Sequence, residues 1–335
     1  MKAAQRGQTA GIDSLSIIDI PDPGKPGKGE IRVRIHNVSL NFHDYNVVAG
    51  ILPAAPGRVL MSDGAGVVES TGEGVSAFKP GDSVISTFFP DWENGECPVS
   101  GFSRTPGDGL DGYATTFVVR PAHYFTLAPE GWSHAEASTL PTAAVTAWRA
   151  LVVEGRIKPG EDVLILGSGG VSVFALQIAK MAGARVWATS SSPDKMIWLR
   201  DQGAAGVVNY QQEPEWGERI FEMTGGRGVD HVVEIGGPGT LAQSIKASRI
   251  GGKITLIGVF TGIAGDVPTG AIMGKQLTVK GITVGCRTHQ QDMIRALEKT
   301  DVRPMIDSVW PLDKIVDAFQ YQLKGKHTGK IVVEI

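Results

Sequence analysis

The sequence has few of the features that mark secreted, nucleic-acid-binding or membrane-spanning proteins. Only two cysteines occur in 335 residues, too few for a disulfide framework or a cysteine-rich structural zinc site. Lys and Arg number 32 against 35 Asp and Glu, and no basic block indicates a nucleic-acid partner. No uninterrupted apolar run of about 18 residues could cross a bilayer. Because no charged segment followed by a long apolar one opens the chain, we expect no secretory signal and a cytoplasmic location.

Glycine is the abundant residue, at 44 of 335 positions, roughly twice its average usage. Without a collagen-like period, this excess indicates many tight turns and close backbone approaches. At about 150 residues per domain, the length predicts two domains.

The first part of the chain has the pattern of short strands and turns. Residues 31–35 alternate apolar and polar side chains, and residues 64–69 and 82–86 are further candidate strands. Residues 89–112 are rich in turn residues and lack periodicity, which predicts a long surface loop.

The middle of the chain alternates strands with helices. The apolar run at 162–166 is typical of a strand buried on both faces. Helices are predicted at 135–151, 173–182, 195–202, 216–224 and 241–248, and further strands at 185–189, 206–209, 231–234 and 253–257. This alternation predicts right-handed crossovers and a doubly wound parallel sheet of the α/β class.

The tail contains two predicted helices, at 292–298 and 315–323, and a closing strand at 330–334. A terminal strand needs a sheet to join, and we expect it to return to the first, β-rich domain. The predicted domains are therefore residues 1–125 with 288–335, and residues 126–287.

A glycine turn, Gly167-Ser168-Gly169-Gly170-Val171-Ser172, joins the strand at 162–166 to its helix. In the G-x-G-x-x-G fingerprint, the first glycine forms the turn, the second lets the backbone approach a pyrophosphate, and the third allows close packing of the helix. Gly167 and Gly169 match, whereas Ser172 takes the third place, where its hydroxyl must find a partner. The turn predicts a dinucleotide site at the start of the helix.

The end of the next strand indicates which dinucleotide binds. An acidic residue about 20 positions beyond the glycines would hold the ribose of NAD, but Ser190, Ser191 and Ser192 stand there, with Lys195 one turn further on. Hydroxyls and an ammonium suit the 2′-phosphate of NADP(H), which is the predicted cofactor. The alternative is that the serines cap a helix and Lys195 is a surface charge. Tyr210 either flanks the adenosine phosphate or is an ordinary strand-end residue.

Further motifs carry a resemblance to a known family. They are Phe78-Lys79-Pro80-Gly81-Asp82, Leu140-Pro141-Thr142-Ala143-Ala144, Gly226-Arg227-Gly228-Val229-Asp230 and Gly251-Gly252-Lys253. With the glycine turn, they make the chain resemble the medium-chain dehydrogenase/reductase superfamily over essentially its whole length. The resemblance implies a GroES-like catalytic domain and a Rossmann domain, with the active site in the cleft between them. We also place Thr146, Ile257, Gly258 and Val259 in the candidate cofactor site.

Zinc-dependent members of that superfamily hold a catalytic metal at three positions, which fall here on Asn41, Ser62 and Thr142. None of these is a good zinc ligand, and only Cys97 remains in the segment that corresponds to the four-cysteine structural lobe. The chain therefore resembles the zinc-free quinone oxidoreductase branch, and we predict no metal. The alternative is a different divalent site formed by His43, Asp44 and Asp63.

Without zinc, reduction of an activated acceptor is easier than oxidation of an alcohol. We therefore predict NADPH-dependent hydride transfer to a quinone or an α,β-unsaturated carbonyl. Asn41 would donate a hydrogen bond, Asp44 would orient its neighbours, and Ser62 and Thr142 complete the candidate catalytic set. His43 either delivers the proton or is a histidine at the cleft edge without that role.

Two other functions stay open from the sequence. One is an alcohol dehydrogenase-like enzyme that acts on alcohols or aldehydes, and the other is a non-catalytic, crystallin-like nucleotide-binding protein. Phe89 and Trp92 either line an apolar substrate pocket or anchor their loop. The candidate strand at 277–284, if it lies at a sheet edge, predicts a homodimer formed by strand pairing.

Overall fold

A computed structural model describes residues 1–98 and 101–335 of the chain. They form two units, an outer unit of Met1–Val145 with Gly285–Ile335 and a central unit of Thr146–Val284. The outer unit is thus discontinuous, and the first division falls after residue 145 rather than after residue 125.

The secondary structure, in chain order, is as follows. The strands are β1 (Lys2–Gln5), β2 (Ser16–Asp19), β3 (Glu30–Ser39), β4 (Asp63–Thr71), β5 (Ser83–Ser86), β6 (Phe117–Pro121), β7 (Phe125–Leu127), β8 (Asp162–Leu166), β9 (Arg185–Ser190), β10 (Gly206–Asn209), β11 (Val229–Glu234), β12 (Ser248–Leu256), β13 (Thr278–Gly281), β14 (Ile306–Pro311) and β15 (Lys330–Glu334). The α-helices are α1 (Phe42–Val48), α2 (His134–Ser138), α3 (Val145–Trp148), α4 (Gly170–Met181), α5 (Pro193–Asp201), α6 (Trp216–Met223), α7 (Pro238–Ala247), α8 (Thr269–Gly274), α9 (Arg287–Leu297) and α10 (Ile315–Leu323).

The central unit contains the predicted parallel sheet. Its strand order is β10-β9-β8-β11-β12-β13, and every pair in it is parallel. All five residues of β8 are buried, as expected for a strand covered by helices on both faces. The chain moves from β8 outward through β9 and β10 and then returns to the other side of β8 with β11. This reversal is the point at which open α/β sheets bind ligands.

The outer unit contains a seven-stranded sheet in which β3 is central. β3 pairs antiparallel with β4, β6 and β15, while β14 lies parallel to β15. The closing strand therefore joins the first part of the chain, as its sequence predicts, with Val332 opposite Ser39. Apolar side chains of β3, β4, β15 and α10 form the core of this unit.

One predicted helix and one predicted strand differ from the structure. The helix predicted at 135–151 is broken into α2, a π-helical turn Leu140–Ala144, α3 and a second π-helical turn Arg149–Glu154. Pro141 contributes to this because it has no N–H for the regular helical ladder. The strand predicted at 277–284 is the shorter β13, which is the last strand of its sheet.

The segment 89–112 is not wholly a surface loop. Phe89 and Trp92 are buried, and the carbonyl oxygen of Trp92 accepts a hydrogen bond from the N–H of Arg287. A 3-10 turn spans Gly101–Arg104, while residues 99–100 lie outside the described part of the loop. The two aromatic side chains therefore anchor this loop. No helix in the described part of the chain is long and apolar enough to cross a membrane.

Candidate active site

A buried carboxylate, Asp63, is the centre of a polar cluster in the outer unit. Asp63 is the first residue of β4 and is fully buried. Its Oδ2 accepts hydrogen bonds from Ser39 Oγ at 2.9 Å and Asn41 Nδ2 at 2.8 Å. Its Oδ1 accepts one from Thr142 Oγ1 at 2.6 Å. Two of the predicted catalytic residues, Asn41 and Thr142, are thus brought together by a carboxylate that lies beside them.

Lys330, the first residue of β15, is the charged member of this cluster that the sequence analysis missed. Its side chain is buried, and Nζ donates to Asn41 Oδ1 at 2.6 Å and to the carbonyl oxygen of Leu40 at 2.7 Å. The distance from Nζ to Asp63 Oδ2 is 3.8 Å. The sequence does contain a signal for this residue, because Lys330 begins the closing strand, which enters the core. Lysine is almost never fully buried unless it is paired, so a partner was to be expected.

Burial shifts the protonation of both charged groups. It raises the pKa of the Asp63 carboxyl, which Lys330, Asn41 and Thr142 only partly counteract. Burial also lowers the pKa of the Lys330 ammonium, against the attraction of Asp63 and Asp44. The charged form of each group is therefore stabilised by the other against the effect of burial.

Asp44 ties the start of α1 to the loop before β4. Its Oδ2 accepts from the backbone N–H of Asn41 at 2.8 Å, and its Oδ1 accepts from the backbone N–H of Ser62 at 2.9 Å. Asn41 is the N-cap of α1, so this is the carboxylate half of a capping box. Asp44 therefore orients its neighbours, which is the role that its sequence position suggests.

The Asn41 amide is fully engaged within the protein. Its oxygen accepts from Lys330, its nitrogen donates to Asp63, and the side chain is buried. An amide with both ends committed has little capacity left to bind a substrate oxygen. These contacts make Asn41 part of the scaffold of the cluster, and its role as a hydrogen-bond donor to the acceptor stays a prediction.

His43 lies at the edge of this cluster, in the first turn of α1. Its Nε2 is 3.2 Å from Asp108 Oδ2, and its ring packs edge-on against Phe88 with 4.9 Å between ring centroids. Burial alone lowers the pKa of His43, but Asp108, with Asp44 and Asp63, more than offsets this and the pKa is raised. The imidazole is thus stabilised as a cation.

The alternative metal site of His43, Asp44 and Asp63 is not assembled. Among the residues that the structure describes, no three His, Cys, Asp or Glu side chains are grouped so as to hold a metal ion. Both oxygens of Asp44 accept from backbone amides, and His43 faces Asp108 instead. These three side chains therefore serve other contacts.

The glycine turn in the central unit has the geometry that a dinucleotide requires. Gly167 has φ of +72°, a conformation that glycine adopts readily, and a Cβ added at Gly169 would meet no atom within 4 Å. No side chain caps the helix that begins at Gly170. Free N–H groups and open space at a helix start fit a pyrophosphate, so the residues fit a bound dinucleotide.

The structure shows why a serine can occupy the third glycine position of the fingerprint, at Ser172. Its side chain is fully buried, and its Oγ donates to the carbonyl oxygen of Leu166 at 2.6 Å. The hydroxyl thus satisfies a strand-end carbonyl and lets α4 pack against β8 without a third glycine.

The serines after β9 are partly used by the protein itself. Ser192 is the N-cap of α5, and its Oγ accepts from the backbone N–H of Lys195 at 3.5 Å. The backbone N–H of Ser192 donates to Ser190 Oγ at 3.3 Å. Ser191 and Lys195 are half-buried, and Tyr210 is exposed after β10. Helix capping therefore occurs here, at the same free helix end that could receive a phosphate.

The remaining candidate cofactor residues lie in two places. Ile257, Gly258 and Val259 follow the carboxyl end of β12, the same edge of the sheet as the glycine turn. The N–H of Ile257 donates to the carbonyl oxygen of Glu234, at the end of β11, at 2.8 Å. Thr146 is buried in α3.

Sequence comparison identifies the family. The "Zinc-binding dehydrogenase" family matches residues 170–300, and the "Alcohol dehydrogenase GroES-like domain" family matches residues 27–130. A zinc-type alcohol dehydrogenase-like protein of Schizosaccharomyces pombe is 38% identical over 98% of this chain and 97% of its own length. The chain belongs to the medium-chain dehydrogenase/reductase superfamily. The outer unit of this dehydrogenase/reductase contains its GroES-like domain, and the central unit is its Rossmann-like domain.

Solved structures agree with this membership. A protein of Sinorhizobium meliloti matches with a TM-score of 0.89 and 39% identity, over 100% of this chain and 99% of its own. An NAD-dependent alcohol dehydrogenase matches with a TM-score of 0.88 and 32% identity over 100% of both chains. A cobalt- and zinc-bound alcohol dehydrogenase of Pyrobaculum aerophilum has a TM-score of 0.84 and 27% identity, over 100% and 99%. This medium-chain dehydrogenase/reductase is therefore an oxidoreductase with an NAD(P)-binding domain.

Proposed function

We propose that this protein is a zinc-independent, NADPH-dependent reductase of quinones or α,β-unsaturated carbonyls. The observation that carries the proposal is the donor set at the three positions where zinc-dependent relatives bind metal. Asn41, Ser62 and Thr142 offer an amide and two hydroxyls, and zinc prefers thiolate, imidazole or carboxylate. Asn41 and Thr142 are moreover hydrogen-bonded to Asp63, and Asn41 also accepts from Lys330.

NADPH is the proposed cofactor because of the residues after β9. Ser190, Ser191 and Ser192 carry no negative charge that would repel a 2′-phosphate, and the N-terminus of α5 favours an anion. Lys195 lies in the first turn of that helix. Gly167, Ser168, Gly169, Gly170 and Val171 would hold the pyrophosphate.

Besides the cofactor, such a reaction needs a site that aligns the acceptor with the nicotinamide and a group that supplies a proton. When bound, the reduced nicotinamide supplies a hydride. His43 holds the proton that the reduced acceptor requires, and Asp44 and Lys330 fix the backbone and side-chain positions around it. No residue of this set must stabilise an alkoxide, which is the task that a metal performs in alcohol oxidation.

The test is a panel of acceptors with both nicotinamides. Oxidation of NADPH and of NADH is measured with quinones, enones and aldehydes, each with and without a chelator. We expect turnover of quinones or enones with NADPH, unchanged by the chelator. Loss of activity on chelation would refute the zinc-independent reaction, and tight NADPH binding without turnover would favour a non-catalytic nucleotide-binding protein.

A second candidate, an alcohol dehydrogenase-like activity, is favoured by one observation. The Schizosaccharomyces pombe relative carries a zinc-type alcohol dehydrogenase-like name. The same panel, run with aldehydes and in reverse with alcohols, distinguishes the two functions.

We further propose that the protein forms a homodimer in the cytoplasm. β13 is the last strand of the central sheet, and Thr278, Lys280 and Gly281 in it are exposed. An exposed strand edge presents unpaired backbone groups to a second copy.

A further inference from the structure

A tight turn in the loop before β6 carries a carboxylate to His43. The N–H groups of Asp108, Gly109 and Leu110 all point to the carbonyl oxygen of Thr105, at 3.3, 3.0 and 3.1 Å, and the N–H of Gly107 donates to the carbonyl oxygen of Leu110 at 2.8 Å. These backbone hydrogen bonds within the turn hold its conformation.

The turn also packs against the backbone that precedes β4. Gly107 has φ of +92°, and a Cβ there would lie 3.2 Å from the backbone nitrogen of Met61 and 3.4 Å from that of Ser62. The loop therefore packs directly on the backbone that leads into Asp63, and only glycine suits both the space and the conformation.

The two oxygens of Asp108 have different partners. Oδ1 accepts from the N–H of Gly109, within the turn, and Oδ2 lies 3.2 Å from His43 Nε2. One oxygen thus holds the carboxylate in place, and the other faces the imidazole. His43 Nε2 is buried and makes no hydrogen bond to the described residues, so Asp108 acts on it as a negative charge 3.2 Å away, while the histidine side chain keeps 19% of its surface exposed.

We propose that Asp108 is a positioning residue whose negative charge favours a proton on His43 Nε2 and so leaves Nδ1 as the atom that gives a proton to the reduced acceptor. This rests on the proposed function, because it names the residue that prepares the proton donor of that reaction. A nearby carboxylate favours the protonated imidazole, so His43 carries a transferable proton over a wider range of pH.

The step balances with an enone as acceptor. The bound cofactor would supply a hydride to the β-carbon. The C=C electrons would then move to the carbonyl, and the resulting enolate would take a proton from His43 Nδ1. His43 then regains a proton from water, so that one NADPH and one proton are consumed for each ketone formed. The charged groups that face His43 are Asp108, Asp44 and Asp63, all acidic, and Phe88 covers one side of the ring.

The first experiment measures His43 directly and does not depend on activity. The chain has seven histidines, and NMR titration of their imidazoles, with His43→Gln for assignment, follows His43. Asp108→Asn keeps an oxygen for Gly109 but removes the charge, and we expect the His43 midpoint to fall by about one pH unit. The matched control is Asp91→Asn in the same loop, whose carboxylate lies 3.9 Å from His123 Nε2. It should leave His43 unchanged, and equal His43 midpoints in wild type and Asp108→Asn would overturn the proposal.

The second experiment is the pH profile of kcat with the best acceptor. A cationic His43 acts as an acid, so kcat falls as pH rises through its pKa. In Asp108→Asn that fall should begin about one pH unit lower and reduce kcat by up to about tenfold at a pH above both midpoints, with KM for the acceptor little changed. Asp108→Glu should restore part of the profile, and Asp91→Asn should match wild type. If the NMR midpoint moves but the kcat profile does not, His43 is not the proton donor and the proposal fails. If wild type reduces no acceptor, the proposed function fails, while the NMR titration still decides whether Asp108 controls His43.

Discussion

Replacing Lys330 with methionine tests whether the buried cluster is an electrostatic unit. Methionine keeps most of the apolar stem and its volume but removes the ammonium. Three contacts are lost, to Asn41 Oδ1 at 2.6 Å, to the Leu40 carbonyl oxygen at 2.7 Å and to Asp63 Oδ2 at 3.8 Å. Removing one member of a buried ion pair costs about 3–5 kcal/mol. With a denaturant slope of about 3 kcal/mol/M, the urea midpoint of the outer unit should fall by about 1 M or more.

The size of that loss should depend on pH, with a sign that the structure fixes. Burial already raises the pKa of Asp63, and loss of the Lys330 charge raises it further. A carboxyl whose folded pKa is raised stabilises the fold when protonated, and that contribution is lost as pH rises through the folded pKa. The Lys330→Met variant should therefore lose more unfolding free energy at pH 8 than at pH 5.

Two further variants complete the experiment. Lys330→Met with Asp63→Asn removes the stranded charge, so the double variant should be more stable at pH 8 than Lys330→Met alone. Lys326→Met, an exposed lysine in the same segment, should leave the midpoint unchanged. Urea unfolding followed by circular dichroism measures all four proteins. A loss below about 1 kcal/mol, or an equal loss at both pH values, would refute the electrostatic interpretation.

The other predictions concern the cofactor site and assembly. Lys195→Glu should weaken NADPH binding about tenfold or more and NADH binding much less, measured by fluorescence titration, and equal losses would contradict a phosphate role. Gly169→Ala should weaken binding of both nucleotides strongly with little change in unfolding, because a Cβ added there meets no protein atom within 4 Å, so a destabilised variant would contradict this geometry. Ser172→Ala should cost about 1 kcal/mol of unfolding free energy through the Leu166 carbonyl, seen as a lower urea midpoint. Sedimentation at micromolar concentration should show a dimer, and a monomer would refute pairing through β13.

The strands and turns with a clear sequence pattern were predictable, because burial and backbone geometry both act on the same few neighbouring residues. The apolar run of β8 is buried at every position, and the glycine turn adopts the positive φ that its sequence indicates. The return of β15 to the first sheet also followed from the sequence, since a terminal strand must pair. The helix at 135–151 was not predictable in detail, because its breaks into π-helical turns depend on packing in three dimensions rather than on residue propensity.

The sequence indicated several residues of the site but not the residues that contact them. Asn41, Asp44, Ser62 and Thr142 do meet in one place, but Lys330 comes from a segment 289 positions beyond Asn41. A contact over that distance is determined by the pairing of β15 with β3. The position of Lys330 at the start of a buried strand indicates that it needs a partner but not which residues it contacts. Asp108 was missed for a similar reason, because a turn without periodicity carries no signal of what its tip approaches.

These two missed residues change how the site operates. The oxygen of Asn41 accepts from Lys330, and its nitrogen donates to Asp63, so the amide cannot rotate without breaking two buried hydrogen bonds. Leaving a buried polar group without a partner costs more free energy than the hydrogen bond contributes when it is formed. The amide is thus a rigid link between a cation and an anion, and it holds the start of α1, which carries His43, in a fixed place. The Asp108 carboxylate lies 3.2 Å from His43 Nε2, so a second segment places its charge beside the proton donor. Weakening the Lys330 cluster should therefore act mainly on kcat, with a smaller shift of its pH profile through Asp63, whereas removing the Asp108 charge should move the profile more. That difference separates a residue that places His43 from one that sets its protonation.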